Sequence, residues 1–473
     1  MDKYKRLMTN TILFAISSFG SKLLVFVLMP FYTRILKTDG YGTVDLIVQA
    51  SNFIMPIATI GINNAIIRFG LERGSDKKAV FTIGTVVIAI GFAFTLLFSP
   101  LVGKFEFINS YTAYMYMYVF VASFHGLTSQ FVRTIGYVRL YAFDGILATV
   151  LAILFNILFL GAFDMGIEGY MWAMILTDLI AVTFLILVVK LYRFFDLKRI
   201  SKALARQMLA YSIPLIPNTI CNWFINISSR FIITAMISVS ANGIYSVSSK
   251  IPSILLIVAN IFGEAWQISA ISETEGRTRF FSKVCSAYQA IAFTMAAGLI
   301  AGSKIATSLF ASKEFFEAWR YMPFLVVAST FACIANFLTS VYMVEKKSVN
   351  TFITTLIGAA INISLTFLFI KLGFGCMGVA AANLVSYIVM FIIRATDTRK
   401  YIKIKWNIRL FNVNMILIFG ECFIMLSECA GHFIISCVIA ALVVLINSKS
   451  LLHVVRQRFS KKTKSCLKTE RRK

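Results

Sequence analysis

Charge is scarce in this sequence: Asp, Glu, Lys and Arg make up 14% of 473 residues, against 59% hydrophobic. Soluble domains average about 25% charged and about 45–50% apolar residues, so a soluble fold is excluded as the main architecture. Long polar stretches are missing as well, apart from the C-terminal 449–473, and no separate soluble domain can be built. The eight cysteines contain no CxxC pair and sit mostly in apolar runs. They read as small buried hydrophobes rather than a disulfide framework or a zinc site. Walker A, HExxH, GxSxG and DxD motifs are all lacking. No enzyme activity and no cofactor or metal are therefore expected. Without an ATP motif, any transport must run on an ion gradient, a membrane potential or the substrate's own gradient.

What is present is a succession of apolar runs. A spanning helix needs about 20 mostly apolar residues, because each residue rises about 1.5 Å across a hydrocarbon core about 30 Å thick. The expected spans are 10–33, 43–66, 79–102, 112–133, 141–162 and 167–189, then 208–237, 243–270, 282–303, 320–343, 350–371 and 377–395, then 411–428 and 430–448. The expected fold is an all-α polytopic membrane protein of about fourteen transmembrane helices. The basic N-terminus and the long run after it read as a first helix rather than a cleaved leader. Glu421, Glu428 and Gly431 interrupt the last pair.

The net charge of +25 would suggest nucleic acid in a soluble protein. Here the charges lie between and beyond apolar runs, so no nucleic-acid partner is expected and the membrane lipid surface is the better match. With a cytoplasmic N-terminus, 36 of the 46 Lys and Arg fall on the cytoplasmic side, 7 on the other and 3 inside spans. The excess of positive charge inside sets N-in/C-in as the expected orientation, in a bacterial cytoplasmic (inner) membrane.

Six spans apart, the pattern repeats. Asn156 in span five and Gly166-Ile-Glu-Gly169-Tyr-Met-Trp-Ala173 after it match Asn362 and Gly375-Cys-Met-Gly378-Val-Ala-Ala-Ala382. A second echo pairs Asp39-Gly-Tyr-Gly-Thr-Val44 with Ala241-Asn-Gly-Ile-Tyr-Ser-Val247. An even offset gives both halves the same orientation, a parallel repeat that suits a two-lobed transporter. The expected division is an N-lobe 1–190, a basic connector 191–207, a C-lobe 208–395, a final pair of helices within 396–448 and a basic tail 449–473.

Ionisable groups inside spans are costly and mark function by default. The candidates for a substrate-binding cavity are Lys22, Arg34, Arg68, Arg230 and Lys250. Asn218, Asn222 and Asn226 join them, recurring every four residues on one helix face. Asp45, Asp178 and Glu264 are the candidate charge partners or coupling groups. Asp144 is also within a span, and Arg34, Asp45, Arg68 and Arg133 lie near enough to an interface to snorkel. His125, the histidine of a central span, reads first as a packed polar residue and second as a proton relay. Spans one, two, seven and eight hold helix disruptors: Pro30, Pro56, Gly61, Pro214, Pro217 and Pro252. A cavity lined by cations and amides fits a substrate with phosphate and sugar hydroxyls.

The run from Asn10 to Val44 carries a Gly-Ser-Lys step at 20–22, then Pro30-Phe-Tyr-Thr-Arg34-Ile-Leu and Tyr41-Gly42. With the GxxGxxxA entries, the length and the repeat, it resembles the multidrug/oligosaccharidyl-lipid/polysaccharide (MOP) exporter superfamily. Within that superfamily the chain looks like the polysaccharide transport branch, the Wzx-type oligosaccharide flippases. The resemblance implies alternating access by two six-helix lobes. It also implies an undecaprenyl-diphosphate-linked oligosaccharide as substrate, moved from the cytoplasmic to the outer leaflet for O-antigen, capsule or exopolysaccharide synthesis. Lys22 falls where related lipid II flippases place a cavity arginine; Arg34 and Arg68 carry over more loosely. Proton or sodium coupling and polysaccharide assembly proteins are further implied partners. The alternatives are a cation-coupled multidrug exporter of the same fold and a membrane polysaccharide polymerase. The first calls for an acidic or apolar cavity and the second for a large extracytoplasmic loop.

Overall fold

The computed structural model describes residues 28–72, 74–104, 106–272, 276–345, 347–429 and 431–448. Lys22 and the basic tail lie outside them. Every regular element among the described residues is helical. The principal helices are α1 (Thr38–Ala58), α2 (Ile62–Gly70), α3 (Lys77–Leu96), α4 (Thr112–Thr134), α5 (Val138–Asn156) and α6 (Gly166–Val189). They continue with α7 (Lys202–Ser212), α8 (Leu215–Met236), α9 (Val239–Ser272), α10 (Arg277–Ala301) and α11 (Met322–Val344). The last are α12 (Ser348–Lys371), α13 (Gly375–Asp397), α14 (Ile408–Ser427) and α15 (His432–Ser448). Among the described residues nine helices are long and apolar enough to cross a bilayer, or ten if the bent pair α1 and α2 is one span. The chain is a multi-pass, all-α membrane protein.

Packing divides the chain into two compact units. The first comprises Met1–Ser246 with Phe310–Phe315, and the second Val247–Leu309 with Phe316–Lys473. Helix α9 thus belongs to the first unit up to Ser246 and to the second beyond it.

In the first unit, Leu46, Ile47, Met115, Val119 and Met171 bury a seam shared by α1, α4 and α6. A second seam joins α2, α3 and α4 through Ile62, Ile66, Val80, Leu127 and Phe131. Helices α1 and α2 meet at a 52° bend. Ile60 and Gly61 both take left-handed backbone angles there, and the Gly61 amide reaches back to the Pro56 carbonyl at 3.2 Å. Proline and glycine together end the helical ladder at this point. The single span expected over 208–237 is likewise divided, into α7 and α8, at Ile213 and Pro214. Pro252, by contrast, sits inside an unbroken α9.

Helix α3 starts on a side-chain cap. The Asp76 carboxylate accepts from the Lys78 and Ala79 amides at 3.0 and 3.2 Å, and from Arg199 at 3.1 Å. Asp76→Ala leaves two first-turn amides without an acceptor. It should cost roughly 0.5–2 kcal/mol of local stability, read as faster hydrogen exchange over residues 77–82. Unchanged exchange there contradicts the assignment of the cap.

In the second unit, Trp266 lies among Phe262, Phe280, Phe281 and Phe337 and donates to Ser340 Oγ at 2.9 Å. Arg394 is buried there at 2% exposure. Its donors go to the Thr354 and Thr355 hydroxyls, the Ala335 carbonyl and Asn336. Neutral acceptors thus satisfy a guanidinium that would otherwise be costly to bury.

The two GxxGxxxA entries share a local geometry. Gly166 and Gly375 both have positive φ, +57° and +53°. A Cβ on Gly169 would meet the Phe159 carbonyl oxygen at 3.0 Å, and one on Gly378 would meet Phe369 Cβ at 2.7 Å. In each case a bare glycine lets the helix turn back tightly on the one before it.

Candidate functional site

The site begins with two glycines. A Cβ on Gly42 of α1 would lie 2.2 Å from the Val239 carbonyl oxygen, and one on Gly243 of α9 would lie 2.2 Å from the Thr38 carbonyl oxygen. The two helix starts therefore touch backbone to backbone. Ser240 donates to Thr38 Oγ1 at 2.6 Å, and Asn242 Nδ2 donates to the Gly42 carbonyl at 3.2 Å. These are the two halves of the sequence echo around Gly42 and Gly243, packed on each other.

Three residues on from each glycine, one helical turn, stand Asp45 and Ser246. Arg230 of α8 reaches both. One guanidinium nitrogen forms the ion pair with the Asp45 carboxylate and also donates to Ser246 Oγ at 2.7 Å. Asp45 and Arg230 are buried at 6% and 9% exposure, and Gln49 Nε2 donates to the other Asp45 oxygen at 3.3 Å. Trp223, also on α8, donates to the Gln49 carbonyl at 2.9 Å and ties the same two helices again. Such a pair is costly to desolvate and strongly destabilising to break by removing one partner.

The other expected positions divide. Arg34 and Arg68 are exposed, and Arg68 lies over the Tyr211 ring at 5.4 Å. Lys250 is half-buried on α9, in the second unit. Asn218, Asn222 and Asn226 lie on α8 and Glu264 on α9, with side chains outside the described ones. Asp178 does not join the Arg230 pair. It accepts a contact from His125 Nδ1 at 2.7 Å, while His125 Nε2 lies 3.1 Å from Asp144. This three-helix cluster of α4, α5 and α6 was not legible as a unit in the sequence. The available signal was one histidine and two carboxylates in consecutive spans.

Taken together, the membrane-length helices define a polytopic membrane fold, and its first unit holds a buried acid–base pair. The solved lipid II flippase MurJ, in its inward closed conformation, is similar: TM-score 0.68 at 14% identity, covering 94% of this chain and 99% of that one. An inward-facing multidrug resistance MATE family transporter of the MOP superfamily matches with TM-score 0.65 at 13% identity, over 80% and 95% of the two chains. A Vibrio cholerae MATE transporter matches with TM-score 0.55 at 15% identity, over 84% and 97%. The chain shares the fold of these proteins. A family described as polysaccharide biosynthesis protein matches residues 7–275, and the chain belongs to it. No curated protein sequence matches significantly.

Proposed function

We propose that the chain is a flippase carrying polyprenyl-diphosphate-linked oligosaccharides across a bacterial cytoplasmic membrane by alternating access, as the Wzx-type branch does, and that it is not an enzyme. The observation that carries this reading is a buried arginine, Arg230, held by Asp45 in a member of a polysaccharide biosynthesis family. A diphosphate offers a guanidinium the same bidentate acceptor geometry as a carboxylate. The substrate can therefore compete with Asp45 for Arg230 and release the latch between α1 and α8. Lys22 and Lys250 supply further positive charge, Arg34 and Arg68 attract the head group from exposed positions, and Asn218, Asn222 and Asn226 hydrogen-bond the sugar hydroxyls. Asp178 and Glu264 serve as charge partners. Both termini face the cytoplasm, beside the anionic lipid that attracts the basic tail.

The rival drug exporter of this fold needs sites for cationic substrates, which these bases disfavour. The test is glycan export in a deletion strain complemented with Lys22→Ala or Arg230→Ala. Each variant should lower surface glycan at least roughly tenfold, the loss of one charge-assisted contact of about 1.5–3 kcal/mol. Full export by both at matched protein levels removes the cationic recognition.

A further inference from the structure

Within the first unit, and apart from Arg230, His125 is bracketed by two carboxylates. Its Nδ1 lies 2.7 Å from Asp178 Oδ1 on α6, and its Nε2 lies 3.1 and 3.3 Å from the two Asp144 oxygens on α5. Asp144 is 2% exposed and also accepts from Ser129 Oγ at 2.8 Å. A neutral imidazole carries one N–H. Facing two ionised carboxylates, it would set a lone pair against a negative oxygen. The geometry therefore calls for at least one proton more than a neutral ring and two carboxylates provide. A second extra proton would bring the cluster to zero net charge, the cheapest state in a membrane interior. Among the described residues no group of three His, Cys, Asp or Glu is arranged to hold a metal ion.

Nearby titratable groups include the phenols Tyr118 on α4 and Tyr170 on α6, and Arg133 in the last turn of α4 lies over the Tyr141 ring of α5 at 5.8 Å. Asp45 on α1 is held by Arg230. Arg68 on α2 is exposed over Tyr211. Helix α3 brings only Lys77 and Lys78, in its first turn. The cluster also adjoins a joint. A Cβ on Gly126, the residue after His125, would sit 2.9 Å from Asn63 Nδ2. Asn63 is the second residue of α2, just past the 52° bend, and its buried Oδ1 has no hydrogen-bond partner among the described residues.

We propose that His125, Asp144 and Asp178 form a proton-binding site, separate from the Arg230 latch, whose occupancy sets the bend between α1 and α2. Resting on the flippase reading, this makes the proton the coupling ion. When a proton enters or leaves, His125 changes the number of helices it ties together. Helix α4 then shifts against Asn63, and the bend follows.

Two measurements test it. The chain has three histidines, so ¹⁵N imidazole spectra of the purified full-length protein can be assigned with His432→Gln and His453→Gln. At about pH 8, where a free imidazole is neutral, the His125 ring should show both nitrogens protonated, and the Asp144→Asn/Asp178→Asn variant should show one. A singly protonated wild-type ring overturns the site. In proteoliposomes, an imposed gradient of about one pH unit is worth about tenfold per coupled proton. It should change the flipping rate of the wild type and leave the rate of His125→Gln insensitive to the gradient. Equal gradient responses in the two overturn the coupling. If the wild type flips no lipid-linked oligosaccharide at all, the flippase reading fails, while the ring spectrum still decides the proton site.

Discussion

Gly42→Val is expected to abolish glycan export and sharply reduce the yield of folded protein. The added Cβ would lie 2.2 Å from the Val239 carbonyl oxygen and 3.0 Å from the Gly243 amide nitrogen. Both obstacles are backbone, so no side chain can turn aside, and α1 must move off α9. That movement also costs the Asn242–Gly42 and Ser240–Thr38 hydrogen bonds, and it withdraws Asp45 from Arg230. Overpacking alone typically costs about 1–3 kcal/mol, and each lost hydrogen bond adds about 0.5–1.5 kcal/mol. Gly243→Val should behave in the same way, because its Cβ would meet the Thr38 carbonyl oxygen at 2.2 Å. Gly263→Ala is the control, since among the described residues nothing lies within 4 Å of a Cβ built there. The readout is monodisperse protein in detergent together with surface glycan. Wild-type values for Gly42→Val refute the close approach.

Asp45→Ala is the second large effect. It leaves Arg230 buried without its carboxylate, and breaking a buried pair by removing one partner costs about 3–5 kcal/mol. Arg230→Met alone strands Asp45 in the same way. The double variant Asp45→Ala/Arg230→Met removes both charges and should recover much of the thermal stability, because an apolar replacement of a buried pair is often neutral. Export should not recover, since the proposed phosphate ligand is gone. Thermal unfolding in detergent and glycan export therefore separate. A double variant with the summed destabilisation of its parents would show that the two residues do not interact.

Much of the helical architecture was legible from apolar runs alone. The spans expected at 167–189, 320–343 and 350–371 meet helices at Gly166–Val189, Met322–Val344 and Ser348–Lys371. Lipid imposes that regularity, because only closed hydrogen-bonding elements survive in hydrocarbon. Proline was a weaker guide: Pro56 precedes a real break and Pro214 divides α7 from α8, whereas Pro252 leaves α9 continuous. The echo around Gly42 and Gly243 was visible as a pattern, but its meaning, two helix starts in backbone contact, is not contained in local periodicity. The same holds for the candidate site. Asp45 and Arg230 were each singled out by the cost of placing charge in a span, yet their pairing joins positions 185 residues apart. His125 read first as a packed polar group because one histidine carries no spacing signal. Only the packing of α4, α5 and α6 gives it two carboxylates.

Purified protein in proteoliposomes, given a polyprenyl-diphosphate-linked oligosaccharide in one leaflet, should move its glycan to the other, where an externally added glycosidase can reach it. The account predicts exposure well above protein-free vesicles for the wild type and close to that background for Arg230→Ala. Background exposure with the wild type, together with uptake of a cationic drug by the same vesicles, would contradict it.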